Sequence, residues 1–326
     1  MSVHVGIDIS KLTFDAVILP VSGKQRHRQF ANDLGGFVQF TKWLAPHEVN
    51  ELHVCMEGTG RLWEQLAEYL VARNFKISVV NPAQIKGFAD SEMRRSKTDR
   101  LDAAIIARFC KSHGPRYWEA PSPDVKLLRD LQRHVDSLKE DQTRQTNRLS
   151  SGALDELITA GIRRNLAQIQ GEIELYQAYI KELIAERQGL ETARKVMSVI
   201  GVGQVLAATF VGELGSIDRF GRARDVEIFC GVTPRVLESG TSVRGRNRIS
   251  KKGNSRLRRA LFMAALSAMR HNPQLSEFAK RLKENGKAGK VIVCAVARKL
   301  LRTMFAIARS GQLYDPCFRS SIKPAG

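Results

Sequence analysis

Three short runs rich in apolar and β-branched residues, Val3 to Ile9, Thr13 to Leu19 and Arg26 to Phe30, follow one another with little between them but Ser-Lys and Ser22-Gly23. Runs this close in sequence read as an antiparallel meander. The pattern then changes. Helical periodicity at Phe37, Phe40 and Leu44 leads to a strand-like Leu52 to Glu57, a helix near Leu62 to Leu70, and a strand at Ile77 to Val80 ending at Asn81-Pro82. A meander followed by alternating strand and helix predicts later strands that run parallel, joined by crossover helices.

That order matches a ribonuclease-H-like (RuvC-like) α/β fold over residues 1–125. From 126 to 193 the chain reads instead as a helical coiled-coil segment. Leu128, Leu131, Val135 and Leu138, then Leu166, Ile169, Ile173, Tyr176, Ile180 and Leu183, recur at 3–4 spacing on either side of a polar turn at Ser150-Ser151-Gly152. Two long helices with seams suit either a hairpin closed within one chain or a contact between subunits. Residues 194–326 form a third, mostly helical part. There Ile200-Gly201-Val202-Gly203 fits both the turn of a helix-hairpin-helix, whose backbone amides can face a phosphate, and a plain tight connection.

Charge narrows the partners. Lys and Arg number 52 against 33 Asp and Glu, a formal net charge of +19, which favours an anionic polymer, nucleic acid before a membrane surface. The apolar runs fall short of the ~20 residues that a membrane span requires, and the N-terminal residues lack a basic leader and apolar stretch. Five scattered cysteines with no Cys-x-x-Cys pair argue against a disulfide framework or a zinc site, and predict reduced thiols in a cytoplasmic protein.

Asp8 interrupts the apolar run Val5-Gly6-Ile7-Asp8-Ile9, where an unmet charge costs several kcal/mol. Glu57 ends another apolar strand, ahead of Gly58-Thr59-Gly60. Asp99 and Asp102 open an apolar helix, and their i, i+3 spacing places both on one face of its first turn. Each has a plain explanation, since acids are favourable at helix starts and Glu57 can cap the next helix. Together, four oxygen donors can hold two Mg²⁺ ions, as ribonuclease-H-like nucleases do with acids from the first strand, the fourth strand and a late helix.

A second constellation lies between residues 235 and 259, where Arg235, Arg244, Arg246, Arg248, Lys251, Lys252, Arg256, Arg258 and Arg259 face the single acid Glu238. Such a cluster binds phosphates, with or without catalysis. Within it, Ser239-Gly240 is a common turn dipeptide, so residue chemistry alone leaves Ser239 open between a turn and a nucleophile. No Ser/His/Asp or metal-ligand histidine spacing and no Gly-x-x-x-x-Gly-Lys-Ser/Thr loop is present, which disfavours acyl transfer, zinc hydrolysis and ATP-driven machinery.

In order, Gly6-Ile7-Asp8, Glu57-Gly58-Thr59-Gly60, Asn81-Pro82-Ala83, the block from Lys97 to Ala103, Gly231-Val232-Thr233-Pro234-Arg235 and the block from Glu238 to Gly245 resemble the motifs of DEDD transposases of the insertion sequence 110 family, relatives of the Piv-type DNA invertases. The likeness covers nearly the whole chain. It implies that Asp8, Glu57, Asp99 and Asp102 form a metal-binding tetrad for Mg²⁺ and that Ser239 is the nucleophile of a C-terminal transposase domain. It also implies donor and target DNA as partners, together with a structured non-coding bridge RNA whose loops pair with each. A site built from two subunits would require a dimer or tetramer. Gly58 stands where the family usually has Ala, and Leu237 where Tyr often precedes the Glu-Ser-Gly block. The alternatives are a metal-dependent junction nuclease that activates water, and a binding protein without catalysis.

Overall fold

A computed structural model describes residues 3–58, 60–92, 98–152, 155–235, 238–239, 243–244 and 248–316, with the side chains of residues 50, 235, 238, 239, 243, 244 and 248 set aside. The chain divides into two compact units, Met1–Ala120 and Pro121–Gly326.

The first unit is built on one sheet. Strands β1 (Val3–Ile9), β2 (Thr13–Leu19) and β3 (Arg26–Ala31) precede helix α1 (Leu34–Leu44); β4 (Leu52–Glu57), α2 (Glu64–Val71), β5 (Lys76–Val80), α3 (Pro82–Ser91) and α4 (Asp99–His113) follow. The strand order is β3-β2-β1-β4-β5, with β1–β2 and β2–β3 antiparallel and β1–β4 and β4–β5 parallel. The meander and the parallel half thus appear as the sequence predicts. Side chains alternate across a strand, so Val5, Ile7, Phe14, Ile18 and Phe30 share one face and pack with Phe37, Phe40 and Leu44 of α1 and Leu66 and Leu70 of α2. Fully burying each such side chain contributes roughly 1.5–3 kcal/mol. On the other face Val17 meets Ala103, Ala104 and Ala107 of α4, while Cys55 joins Ile105, Ile106, Phe109 and Cys110.

Helix α3 goes beyond the sequence reading, which ends a strand at Asn81-Pro82. Asn81 Oδ1 accepts from the Ala83 amide at 2.8 Å, and Pro82 takes the first helical position, where no donor is needed.

The second unit opens with α5 (Pro123–Ser150) and α6 (Glu156–Glu186), the two long helices the seams predict, and continues through α7 (Glu191–Val196), α8 (Gln204–Leu214) and α9 (Ala223–Cys230). Among the described residues two-residue strands follow, β6 (Pro234–Arg235), β7 (Glu238–Ser239), β8 (Val243–Arg244) and β9 (Arg248–Ile249), then α10 (Ser255–His271), α11 (Pro273–Glu284) and α12 (Gly289–Ser310). Seam residues Leu128, Val135, Leu138, Ile173, Ile180 and Leu183 lie in the same core as Leu206, Phe210, Leu257, Leu261, Leu300 and Leu301. The long pair therefore shares its core with the helices that follow. Between α7 and α8, Gly201 takes φ +100° with Ala268 Cβ only 2.6 Å from where its own Cβ would stand. Close helix packing alone therefore requires glycine at that turn.

No helix among the described residues is long and apolar enough to cross a membrane. Cys55, Cys110, Cys230 and Cys294 are free thiols, the first three buried; Cys317 lies outside the described residues.

Candidate active site

The first unit brings the four predicted acids to one end of its sheet. Ile7 of β1 pairs with Met56 of β4 in parallel register, so Asp8 and Glu57 occupy the next rung of that ladder. Gly6, two residues before Asp8 and on the same face, is where α4 crosses β1. A Cβ there would overlap the Ala103 carbonyl and the Ala107 amide. Glycine with facing alanines lets helix backbone touch strand backbone, and this close approach sets the first turn of α4 beside the end of β1. Thr98 caps that turn, its Oγ1 accepting from the Leu101 amide at 3.3 Å, and Asp99 and Asp102 stand within it.

Electrostatics records the convergence. The Asp8 carboxyl is raised from 3.8 to about 6, first by burial and then by the charges of Asp102, Asp99, Glu57 and Asp15. Three acids 49 to 94 residues away in sequence, and one seven residues away, thus act on one carboxyl. A carboxylate set is the hard-oxygen chemistry that Mg²⁺ selects. Among the described residues no three His, Cys, Asp or Glu side chains are placed to share one ion, so the acids are neighbours without forming a closed cage.

Asp15 is the residue that the motif reading missed. It is the Cα partner of Asp8 across β1–β2, is buried, and accepts from His27 Nε2 at 2.6 Å and Gln29 Nε2 at 2.8 Å. The available signal was an acid at an alternation position of β2 facing Asp8.

The second constellation belongs to the other unit. The backbone of Ser239 lies in β7, opposite Val243 of β8, and Glu238 lies opposite Arg244; Arg235 of β6 pairs with Arg248 of β9. The stem of this segment is fastened to the end of α9. The amides of Ser250, Lys251 and Asn254 donate to the carbonyls of Thr233, Gly231 and Phe229 at 2.9, 3.0 and 2.7 Å. Arg246 and Leu237 lie outside the described residues. Lys251 and Lys252 are exposed. Three of the predicted phosphate-binding arginines already have partners in the fold: Arg256 with Asp136 at 3.4 Å, Arg259 with Glu140 at 3.0 Å, and Arg258 with the Cys230 carbonyl at 2.9 Å.

Two family models match the chain, one of DEDD transposases of the IS110 type over residues 5–158 and one described as "Transposase IS116/IS110/IS902 family" over residues 193–280. Across 320 residues the chain is 31% identical to the pilin gene-inverting protein of Moraxella lacunata, covering 96% of this chain and 97% of that protein. The chain belongs to the IS110 family of transposases. The transposase for insertion sequence element IS1328 of Yersinia enterocolitica is 23% identical over 283 residues, 77% of this chain and 82% of that one. In this IS110-family transposase the first match runs through β1, β4 and α4, hence the four acids, and the second through β7, hence Ser239.

Proposed function

We propose that this IS110-family protein is an insertion-sequence recombinase that cleaves and exchanges DNA strands through a covalent phosphoserine at Ser239, with Mg²⁺ held by Asp8, Glu57, Asp99 and Asp102. The observation that carries the reading is the convergence of carboxylates from β4 and α4 on Asp8 of β1.

In the proposed step Ser239 Oγ attacks a backbone phosphorus. A P–Oγ bond forms, the P–O3′ bond breaks, and the serine proton ends on the departing 3′ oxygen, which leaves a free 3′ hydroxyl for strand exchange. The phosphodiester energy is conserved in the serine ester. Asp8, Glu57, Asp99 and Asp102 would hold the divalent metal, which would supply Lewis-acid stabilisation to the displacement. The tetrad holds that charge in place, and Arg235 and Arg244 offset the negative charge on the phosphoryl oxygens. Lys251, Lys252, Arg246 and Arg248, with Arg256, Arg258 and Arg259 behind them, supply charge for nucleic-acid backbones. A basic chain of this kind holds donor DNA, target DNA and a bridge RNA by charge and shape while base pairing selects sequence. If the serine and the tetrad come from different subunits, the working form is a dimer or tetramer.

The test is denaturing electrophoresis of labelled DNA after incubation with the full chain, its co-purified RNA and Mg²⁺. Wild type gives a protein-linked DNA band, and Ser239→Ala gives neither band nor cleavage. Cleavage by Ser239→Ala without an adduct would replace the recombinase with a water-activating nuclease. Strand exchange at wild-type rate in Asp8→Ala or Asp102→Ala would remove the tetrad from the chemistry. Sequencing the co-purified RNA tests guidance: a discrete species with two internal loops complementary to donor and target supports it, and random cellular RNA refutes it.

A further inference from the structure

Asp15 lies on the same row of the sheet as the tetrad and has no place in the four-acid motif. Alternation along the strands puts Gln29, Asp15, Asp8 and Glu57 in one line across β3, β2, β1 and β4, on the face that α4 covers. Directly opposed residues of antiparallel strands have Cβ atoms about 5 Å apart, so Asp15, itself buried, presents a second acid to the half-buried Asp8 at side-chain range. Its two carboxylate oxygens are each held from β3, Oδ1 by His27 Nε2 at 2.6 Å and Oδ2 by Gln29 Nε2 at 2.8 Å. An acid held on both oxygens by its outer neighbours is turned away from ligation, yet its charge stays beside Asp8 in a place where little solvent screens it. An amide at this position would offer one acceptor oxygen where the carboxylate offers two, so Asp15 both takes up the β3 donors and sets a second acid against the first.

Resting on the tetrad reading above, we propose that Asp15 is a positioning residue of the divalent-cation site, a fifth carboxylate that stays off the metal and, fixed by His27 and Gln29, adds the negative field against which Asp8 binds the cation. His27 serves as the fastening on the solvent side, with its side chain about a quarter exposed at 26%.

The experiment is a Mn²⁺ titration of the nucleic-acid-free full chain, followed by the electron paramagnetic resonance signal of free Mn²⁺, with circular dichroism as a check on folding. Asp15→Asn keeps the shape, removes the charge and turns one acceptor into a donor. His27→Arg keeps the Asp15 carboxylate and sets a fixed cation against it. Both are expected to weaken Mn²⁺ binding about tenfold, the lower end of the effect of groups that support metal ligands. His27→Gln, a neutral donor, should stay within about twofold of wild type. Wild-type affinity in both Asp15→Asn and His27→Arg, with Asp8→Asn losing the ion, overturns this proposal and leaves the tetrad standing. Wild-type affinity in Asp8→Asn overturns the tetrad, and this proposal with it. Should Asp15→Asn fail to fold, His27→Arg on the exposed edge strand decides alone.

Discussion

At the scale of single residues, the site is set by one glycine and one misplaced acid. Gly6 lets α4 rest on the backbone of β1, and any side chain there must push the helix away from the strand end. Gly6→Ala is expected to cost about 3 kcal/mol or more, since overpacking against backbone cannot be relieved by a rotamer change. Thermal denaturation measures that cost, and DNA cleavage should fall with it as Asp99 and Asp102 shift from Asp8. Asp8 makes the opposite trade. Its folded value of about 6 lies above its ordinary 3.8, so folding disfavours the ionised form. Its contribution to stability is full below the unfolded value and is lost as pH rises through about 6. Asp8→Asn should therefore raise the melting temperature of cation-free protein by about 2–5 °C near neutral pH. The gain should vanish toward about pH 4, where both side chains are neutral, and cleavage should be lost throughout. An unchanged or lower melting temperature at neutral pH would show that the acid neighbours do not burden Asp8.

At the scale of elements, the second unit depends on a polar junction where α5, α8 and the start of α10 meet. Arg133 of α5 donates from Nε and Nη2 to Glu213 of α8 at 2.7 and 3.0 Å, and Asn254 donates to the same carboxylate at 2.6 Å while its Oδ1 caps α10 at the Leu257 amide. Burial alone would raise Glu213, but Arg133, Asn254 and Arg256 outweigh it and hold the carboxyl below its usual range. A lowered carboxyl contributes stability above its unfolded value of 4.5 and loses it as pH falls through the folded value. Arg133→Met, which strands a buried carboxylate, should cost about 3–5 kcal/mol near neutral pH. It should also flatten the acid limb of the stability profile, and urea denaturation at a series of pH values reads both effects. The same junction orients the helix that follows the basic segment, so the variant should weaken DNA binding even with every lysine and arginine of that segment intact. Glu227 of α9 plays a similar part toward α12, where it is buried between Arg298 and Arg302.

For the whole molecule, a net charge of +19 makes nucleic-acid binding a salt-dependent property. Affinity for a DNA duplex should drop at least about 100-fold between about 50 and 200 mM salt, with a log–log slope of roughly 0.9 for each phosphate neutralised. Fluorescence anisotropy measures this, and a flat profile would mean that charge does little of the binding. Much of the molecule was legible from sequence because its signals are local. The meander shows in the closeness of the first three runs, α5 and α6 in the 3–4 spacing of Leu128 to Leu138 and Leu166 to Leu183, and the candidate acids in Asp8 inside an apolar strand and in Glu57, Asp99 and Asp102 at the ends of apolar elements. Helix α3 escaped because Asn81-Pro82 serves equally well to end a strand and to start a helix. The sequence by itself determined most of the strands and helices and singled out the candidate acids, since periodicity, caps and charge act over a few residues. Tertiary structure alone decided that Gly6 sets the approach of α4, that the long seams join the core of the later helices, and that Arg256, Arg258 and Arg259 answer to partners inside the fold. Those outcomes depend on distances between segments far apart along the chain, and such distances exist only once the backbone has packed.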